Sequence, residues 1–137
     1  MFARLLVALL LLFGTATPIF SQAARKITVT ATTPTPDDRA RQWLVLVDDK
    51  NYTQSWSEAG KAFQNRQKTE AWAASADTRR AALGAVASRS LKSIELSRNN
   101  IAVIRYDTVF AHKAAAVETL TLTFETGSWT VTDYAVD

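Results

Sequence analysis

The spacing of apolar residues changes once along this chain, and that change constrains the fold more than any other sequence feature. Between positions 35 and 83, apolar side chains recur every three or four residues, as Ala40, Trp43 and Val47 illustrate. This is the spacing of one helix face. From Val86 onward, apolar and polar residues alternate, as they do in strands with one buried face. The sequence therefore predicts helices first and strands afterwards, an order typical of α+β domains.

Local signals mark the ends of the predicted helices. Thr35 is a good N-cap, and Pro36 suits the first helical position. Gly84 is a typical helix stop. The predicted helices run from Thr35 to the polar stretch 48–51, across Trp56–Phe63 and, with Thr69 as the cap, from Glu70 to Leu83.

Four strands are predicted after Gly84, and the loops between them are too short for crossover connections. These loops comprise residues 98–100, 112–114 and 126–127. Loops of this length join antiparallel neighbours. We therefore expect N-terminal helices packed on one face of a four-stranded antiparallel meander sheet. The predicted strands are Val86–Ser97, Ile101–Ala111, Ala115–Glu125 and Ser128–Val136.

The first 23 residues have the pattern of a secretory signal peptide. Arg4 supplies the positive start, Leu5–Phe13 is an apolar run, and Ser21-Gln22-Ala23 offers small residues before a cleavage site. The apolar run is about half as long as a membrane-spanning helix, although a retained anchor is the alternative. We expect a periplasmic or secreted location. The predicted segments are a signal peptide at 1–23, a flexible leader at 24–34 and a single α+β domain at 35–137.

One stretch of the predicted leader allows a second interpretation. The leader is rich in threonine and contains Pro34, which favours a mobile segment. Residues 26–30, however, alternate in polarity as a short edge strand would. Both interpretations remain open at this point.

The composition excludes several kinds of chemistry. The chain has no cysteine, and therefore no disulfide, thiolate nucleophile or cysteine-bound metal. Its 16 basic and 13 acidic residues become 15 and 13 once Arg4 leaves with the signal peptide. This small excess, without a basic cluster, argues against nucleic acid as a partner. His112 is the only histidine and stands in a predicted loop, so we expect no metal site, and the sequence indicates no cofactor.

One strand register places large apolar side chains of all four strands on a common face. Its central row consists of Ile94, Ile104, Leu122 and Val131. Towards one end, this face becomes polar, with rows of Lys92, Tyr106, Leu120 and Asp133, and of Ser90, Thr108, Glu118 and Ala135. A polar region on a helix-covered face suggests a ligand pocket. The candidate pocket residues are Glu118, Tyr106, Thr108, Asp133, Lys92 and Ser90.

Glu118 is the sharpest of these candidates, because a carboxylate on an apolar face needs partners or a raised pKa. Three roles are open to it. It could pair with Lys92, Lys113 or a hydroxyl at the rim, line a ligand cavity, or act as a general acid or base with Tyr106 and Asp133. We assign no catalytic residue from the sequence.

The opposite sheet face carries a different set of candidates. Arg105 and Asp107 alternate there with Val103 and Val109. Such a half-apolar face is either solvated or covered by another subunit. Arg105, Asp107 and Val109 are therefore candidates for a homodimer interface.

The segments Ile104–Lys113 and Ala116–Leu122 carry the most specific pattern of the chain. They resemble the exported bacterial proteins grouped as domain of unknown function 4019, and the resemblance covers about residues 39–136. Weaker matching segments are Trp43–Asp48, Tyr52, Ser55-Trp56, Leu83-Gly84, Ser88-Arg89, Trp129, Val131 and Tyr134. The resemblance implies export and one domain, and it carries no mechanism, since that family has no assigned activity. The order of elements is also similar to cystatin-like and nuclear-transport-factor-2-like (NTF2-like) folds, which enclose a pocket between helices and a curved sheet.

These observations predict an exported, non-catalytic α+β domain that binds a small ligand or an envelope protein. After signal cleavage, no membrane attachment is expected. Two alternatives are an acid–base enzyme of isomerase or hydratase type, with its site between helices and sheet, and a structural protein that associates with itself.

Overall fold

A computed structural model describes residues 32–137 of the chain. The predicted signal peptide and the stretch 26–30 lie outside the described residues, as does most of the predicted leader. The elements are α1 (Pro36–Asp48), α2 (Tyr52–Glu58), α3 (Lys61–Arg66), α4 (Thr69–Leu83), β1 (Val86–Ser97), β2 (Ile101–Phe110), β3 (Lys113–Glu125) and β4 (Ser128–Val136). The predicted α+β class, with helices before strands, is confirmed. Among the helices that the structure describes, none is long and apolar enough to cross a membrane.

The start of α1 follows from its capping residues. The Thr35 hydroxyl accepts a hydrogen bond from the Asp38 amide at 3.1 Å, and the Asp38 carboxylate accepts one from the Thr35 amide at 3.0 Å. This reciprocal pair satisfies amides that would otherwise lack partners at the start of the helix. The apolar stripe of α1 is buried as its spacing predicts and consists of Ala40, Trp43, Leu44 and Val47.

The predicted second helix is two short helices that separate at Ala59 and Gly60. Gly60 donates its amide hydrogen to the Val131 carbonyl of β4 at 2.8 Å. A Cβ atom on Gly60 would lie 2.7 Å from the Thr130 Oγ1, so only glycine permits this approach. The break therefore docks the helical layer against the β4 edge.

The third predicted helix is α4, and its ends are close to those expected. It begins at Thr69, so Lys68 and not Thr69 holds the cap position. It ends at Leu83, and the C-cap Gly84 has a φ of 77°, in the region that favours glycine. A Cβ atom on Gly84 would also lie only 2.7 Å from the His112 ring.

The four strands form one antiparallel sheet in the order β1-β2-β3-β4, as predicted for a meander. The pairs Ile94–Ile104 and Leu122–Val131 stand opposite each other, as expected, and Phe124 stands opposite Trp129. Between β2 and β3 the register differs from the prediction by two residues, with Ile104 opposite Leu120. The chain turns at residues 111–112, one residue sooner than predicted. A shift of two residues leaves every side chain on its expected face.

The predicted register is wrong in part of each edge strand. β1 has a bulge between Leu91 and Ser93, and β4 pairs irregularly opposite the Thr121–Leu122 step. Each extra residue reverses the direction of the side chains beyond it. As a result, Ser90 and Lys92 stand on the outer sheet face, and so does Asp133. The inner positions belong to Arg89 and Tyr134 instead.

The core lies between the inner sheet face and the helices, and aromatic side chains fill its centre. The rings of Trp43, Phe63, Trp72 and Tyr134 approach each other with centroid distances of 5.0–6.3 Å. Ser55 accepts hydrogen bonds from the indole N–H groups of both Trp43 and Trp72. Trp43 donates to the Ser55 carbonyl at 2.7 Å, and Trp72 donates to its hydroxyl at 2.9 Å. This packing fills the space between α1, α2, α4 and the sheet.

Candidate functional site

Glu118 points from β3 into the interior and is fully buried, as the sequence predicts. Its carboxylate accepts four hydrogen bonds. Arg80 Nη2 and the Tyr134 hydroxyl donate to Oε1 at 3.1 and 2.7 Å. Arg89 Nε and the Thr108 hydroxyl donate to Oε2 at 2.6 and 2.7 Å. The partners of Glu118 are thus two arginines and two hydroxyls, and neither Lys92 nor Lys113.

Asp48 connects the same two arginines on their other side. Its carboxylate accepts hydrogen bonds from Arg89 Nη1 and Nη2 at 2.7 and 3.0 Å, and lies 2.9 Å from Arg80 Nη1. Two positive and two negative side chains therefore alternate around a closed ring. We call Asp48, Arg80, Arg89, Thr108, Glu118 and Tyr134 the Glu118 cluster.

The six members of this cluster come from six different elements of the fold. Asp48 is the last residue of α1, and Arg80 lies in the final turn of α4. The remaining members come one from each strand, namely Arg89 from β1, Thr108 from β2, Glu118 from β3 and Tyr134 from β4. The cluster therefore ties both long helices to all four strands.

The surroundings hold the Glu118 carboxyl in its charged form. Burial opposes ionisation, but the hydrogen bonds from Arg89 and Thr108 and the charge of Arg89 outweigh it, so the pKa of Glu118 is lowered. For Tyr134, burial and then the charge of Glu118 raise the pKa of the phenol. Tyr134 is therefore a neutral donor at physiological pH, and the ring of four charges is balanced.

This arrangement leaves the Glu118 carboxylate no free position for a ligand. A carboxylate offers about four lone-pair sites. The four hydrogen bonds to Glu118 occupy that number, and the side chain has no exposed surface. The geometry is that of a saturated buried ion network and not of an open pocket.

Tyr106 and Glu118 face each other across β2 and β3, yet their polar groups point to different partners. The Tyr106 hydroxyl donates to Asp37 at 2.5 Å, and the Arg41 guanidinium lies 5.2 Å from the centre of its ring. Burial and then the bond to Asp37 raise the pKa of Tyr106. Tyr106 therefore serves to hold α1 on the sheet.

Asp133 is not brought near Glu118 and Tyr106. Its exposed carboxylate pairs with Arg66 at 2.9 Å on the outer side of β4. The three residues of the acid–base alternative thus lie in three separate environments. Of the six candidate pocket residues, Glu118 and Thr108 meet in the Glu118 cluster, while Tyr106 lies beside it with a separate partner.

The outer sheet face contains a groove of about 380 Å³ that joins several other candidates. Ser90 and Lys92 line it together with Asp107 and Val109, two of the candidates for the homodimer interface. Lys92 and Asp107 form an exposed ion pair at 3.0 Å. Arg105, the third interface candidate, instead forms an ion pair with Glu95 on the same face. We call this concavity the outer groove.

A larger open cleft, of about 630 Å³, lies where α1 and α4 end and β1 begins. Asp48 and Arg80 form part of its wall, together with Lys50 and Gly84. Asp48 and Arg80 already bind each other. Within residues 32–137, no group of three or more His, Cys, Asp or Glu side chains could hold a metal ion.

Sequence reasoning missed four members of the Glu118 cluster. A signal existed for Arg80, because it follows Trp72 and Ala76 at intervals of four on the buried face of α4. Asp48 likewise follows Leu44 by four residues. Arg89 and Tyr134 carried no such signal, because their inward direction depends on the bulges.

Comparison with known protein families gives one match. Residues 39–134 match a family described as "Protein of unknown function (DUF4019)". The chain belongs to this family. No curated protein matches the chain.

Solved structures show which fold the family member has. A crystal structure from Campylobacter jejuni, described as that of an NTF2-like transpeptidase, matches with a TM-score of 0.51 and 18% identity, over 72% of this chain and 97% of that one. The protein Aln2 from a Streptomyces species is less similar, with a TM-score of 0.48, 12% identity, and coverage of 77% of this chain and 93% of that one. At this identity the likeness concerns the fold alone, and the fold of the chain is NTF2-like.

Proposed function

We propose that this DUF4019 protein is an exported, non-catalytic domain that binds an envelope protein through the outer groove. The observation that carries the proposal is the saturation of Glu118. Its four donors occupy the interior position where a small ligand or a proton-transfer site would otherwise be expected. Binding is therefore assigned to the surface.

The composition of the outer groove supports a protein partner. Its lining includes the short side chains of Ala115 and Val117. A partner side chain could therefore approach the backbone of the sheet closely. The ion pair of Lys92 and Asp107 offers both signs of charge at one rim, and Val109 adds an exposed apolar contact. An apolar centre with a polar, solvated rim is the usual anatomy of a protein interface.

Photo-crosslinking in the native host tests the groove. We expect a photoreactive amino acid in place of Val109 to cross-link one specific envelope protein. The same amino acid in place of Val45, an exposed valine on α1, is the matched control. Val45 is 53% exposed and Val109 is 38% exposed, so accessibility alone favours the control. Absence of a specific product at Val109, or an equal yield of the same product at Val45, would contradict the proposal.

The proposed export rests on the sequence and has its own test. Arg4, the apolar run and Ser21-Gln22-Ala23 have the pattern of a cleaved signal peptide. N-terminal sequencing of the protein from the envelope or medium of its host should find a start next to Ala23. An intact Met1 on the folded protein in the cytoplasmic fraction would contradict export.

A further inference from the structure

The β1 strand is an edge of the sheet, and its inner face is incompletely covered. At the other edge, Gly60 and Arg66 bond to backbone carbonyls of β4. Within the part of the chain that the structure describes, no strand pairs with the outer edge of β1. Leu91, Ile94 and Leu96 are 41, 40 and 67% exposed, although they stand on the face that is core elsewhere in the sheet. A long edge with exposed apolar side chains can pair with another strand.

The sequence of β1 is close to a palindrome. It reads Ser-Leu-Lys-Ser-Ile-Glu-Leu-Ser from Ser90 to Ser97. From the two ends inward, the first pair is Ser90 and Ser97 and the second is Leu91 and Leu96. The third pair, Lys92 and Glu95, has opposite charges. Two antiparallel copies of this segment would thus meet with like apolar residues and opposite charges in register.

The bulge in β1 makes this match possible in three dimensions. Leu91 and Leu96 are five residues apart and would lie on opposite faces of a regular strand. Because Lys92 and Ser93 together occupy the single position opposite Arg105, both leucines stand on the inner face. When Lys92 and Ser93 are counted as one position, Ile94 is the middle position of the segment from Ser90 to Ser97. A two-fold axis perpendicular to an antiparallel pair passes between two directly opposed residues, and here both would be Ile94.

We propose that two copies of this chain associate through β1, antiparallel and with Ile94 facing Ile94 of the second copy on the two-fold axis. Leu91 of each copy then lies opposite Leu96 of the other on the inner face. The sheets join into one continuous sheet of eight strands. An interface of this kind uses the same patch on both copies and closes at the dimer.

Charge complementarity on the outer face supports a second copy as the occupant. Lys92 already pairs with Asp107, and Glu95 already pairs with Arg105 of the same copy. In the proposed register, Lys92 comes opposite Glu95 of the other copy. The four side chains then form one row of alternating charge across each half of the interface, and opposite charges across strands favour pairing. This surface shares Lys92 and Asp107 with the outer groove. Its centre at Ile94 stands on the inner face, whereas Val109 stands on the outer face, so tests at Ile94 and Val109 separate the two proposals.

Engineered cysteines test the register, because the chain contains no native cysteine. Opposed residues of antiparallel strands have Cα atoms about 4.5–5.5 Å apart, which a disulfide can span. In the chain expressed from its full sequence, Ile94→Cys should give a disulfide-linked dimer under mild oxidation. The single variants Leu91→Cys and Leu96→Cys should give little, whereas the double variant should cross-link well. Val109→Cys is the control for a dimer formed through the outer sheet face.

Charge reversal tests the pairing without cross-linking. Glu95→Lys places two lysines opposite each other in both halves of the interface, and we expect it to raise the dimer Kd at least about tenfold in sedimentation velocity. Adding Lys92→Glu to the same chain restores opposite charges and should restore most of the affinity. Thermal melts of each variant identify any loss of folding.

The proposal is overturned by any of three results. The first is a wild-type chain that stays monomeric at high concentration. The second is a dimer whose Kd is the same in the wild type and in both charge variants. The third is disulfide cross-linking of Val109→Cys and not of Ile94→Cys. The last result would favour a dimer through the outer face. A dimer with the expected cysteine pattern, without a cross-linked partner at Val109, would support this inference while the proposed function failed.

Discussion

Arg89 Nε lies 2.6 Å from Glu118 Oε2, and this contact joins the edge strand β1 to the buried centre of β3. The other side of the same guanidinium binds Asp48 at the end of α1. The Arg89 side chain thus links the edge strand β1 both to β3 and to the end of α1. The consequences of breaking that connection are open to measurement.

Glu118→Gln should lower the free energy of unfolding by about 3–5 kcal/mol at pH 7. The reason is that Arg80 and Arg89 would lose a buried partner while remaining charged. Asp133→Asn is the matched control, because it also turns a carboxylate into an amide, in an exposed ion pair with Arg66, and should cost less than about 1 kcal/mol. Urea unfolding of both variants compares the two. A loss below about 1 kcal/mol for Glu118→Gln would contradict the assigned role of the Glu118 cluster.

The stabilisation from Glu118 should disappear in acid. Its pKa in the folded protein is lowered from the ordinary value of a glutamate, so the unfolded chain takes up the proton first. The contribution is therefore fully present above the unfolded pKa and is lost as the pH falls through the folded one. We expect the difference in unfolding free energy between wild type and Glu118→Gln to shrink progressively below about pH 4.3. If the difference in unfolding free energy between the two proteins stayed constant from pH 7 to pH 2, ionisation of Glu118 would not be the source of the stabilisation.

Ser55→Ala should destabilise the domain by about 1–3 kcal/mol, because it leaves the buried Trp72 indole N–H without its acceptor. Ser57→Ala is a matched control on the same helix. Both hydroxyls donate to a carbonyl three residues earlier, but Ser57 is exposed and serves no tryptophan. Its replacement should change stability by less than about 0.5 kcal/mol. Thermal or urea melts that rank the two variants equally would refute the assigned hydrogen bond.

Gly84→Ala should cost more than Gly127→Ala, although both glycines have positive φ. Backbone strain at such a position costs alanine about 1–2 kcal/mol. At Gly84 the new Cβ would additionally lie 2.7 Å from His112 and 2.9 Å from Ala111, whereas nothing lies within 4 Å at Gly127. Urea melts should therefore separate the two variants. Equal decreases in the free energy of unfolding would contradict this prediction, because they would mean that the added methyl group fits between α4 and β1 without a clash.

The sequence predicts the fold well because its main determinants are local. The change from helical to alternating spacing defines the classes of the elements, and the loops near 98, 112 and 126 require antiparallel neighbours. The inward direction of Glu118 survives an error of two residues in the β2–β3 register, because two residues are one full period of a strand.

The candidate site is less predictable, because β1 and β4 each contain an extra residue. A register drawn with regular strands therefore places Lys92 and Asp133 on the wrong face. Arg80 is a different case. A charged residue four positions after Ala76 on a buried helix face requires a buried partner, and that requirement is visible in the sequence.

The bulge in β1 has a consequence for how this strand tolerates evolutionary change. Replacement of Lys92 alters an exposed ion pair, and the inner face keeps its residues. Deletion of Lys92 would leave Ser93 alone opposite Arg105, so the strand would become regular while Arg89 kept its inward direction. Deletion of Ser90 would instead move Arg89 to an outward position and leave Glu118 with one arginine fewer. Within β1, selection should therefore tolerate loss of the extra residue and act against a deletion between the bulge and Arg89.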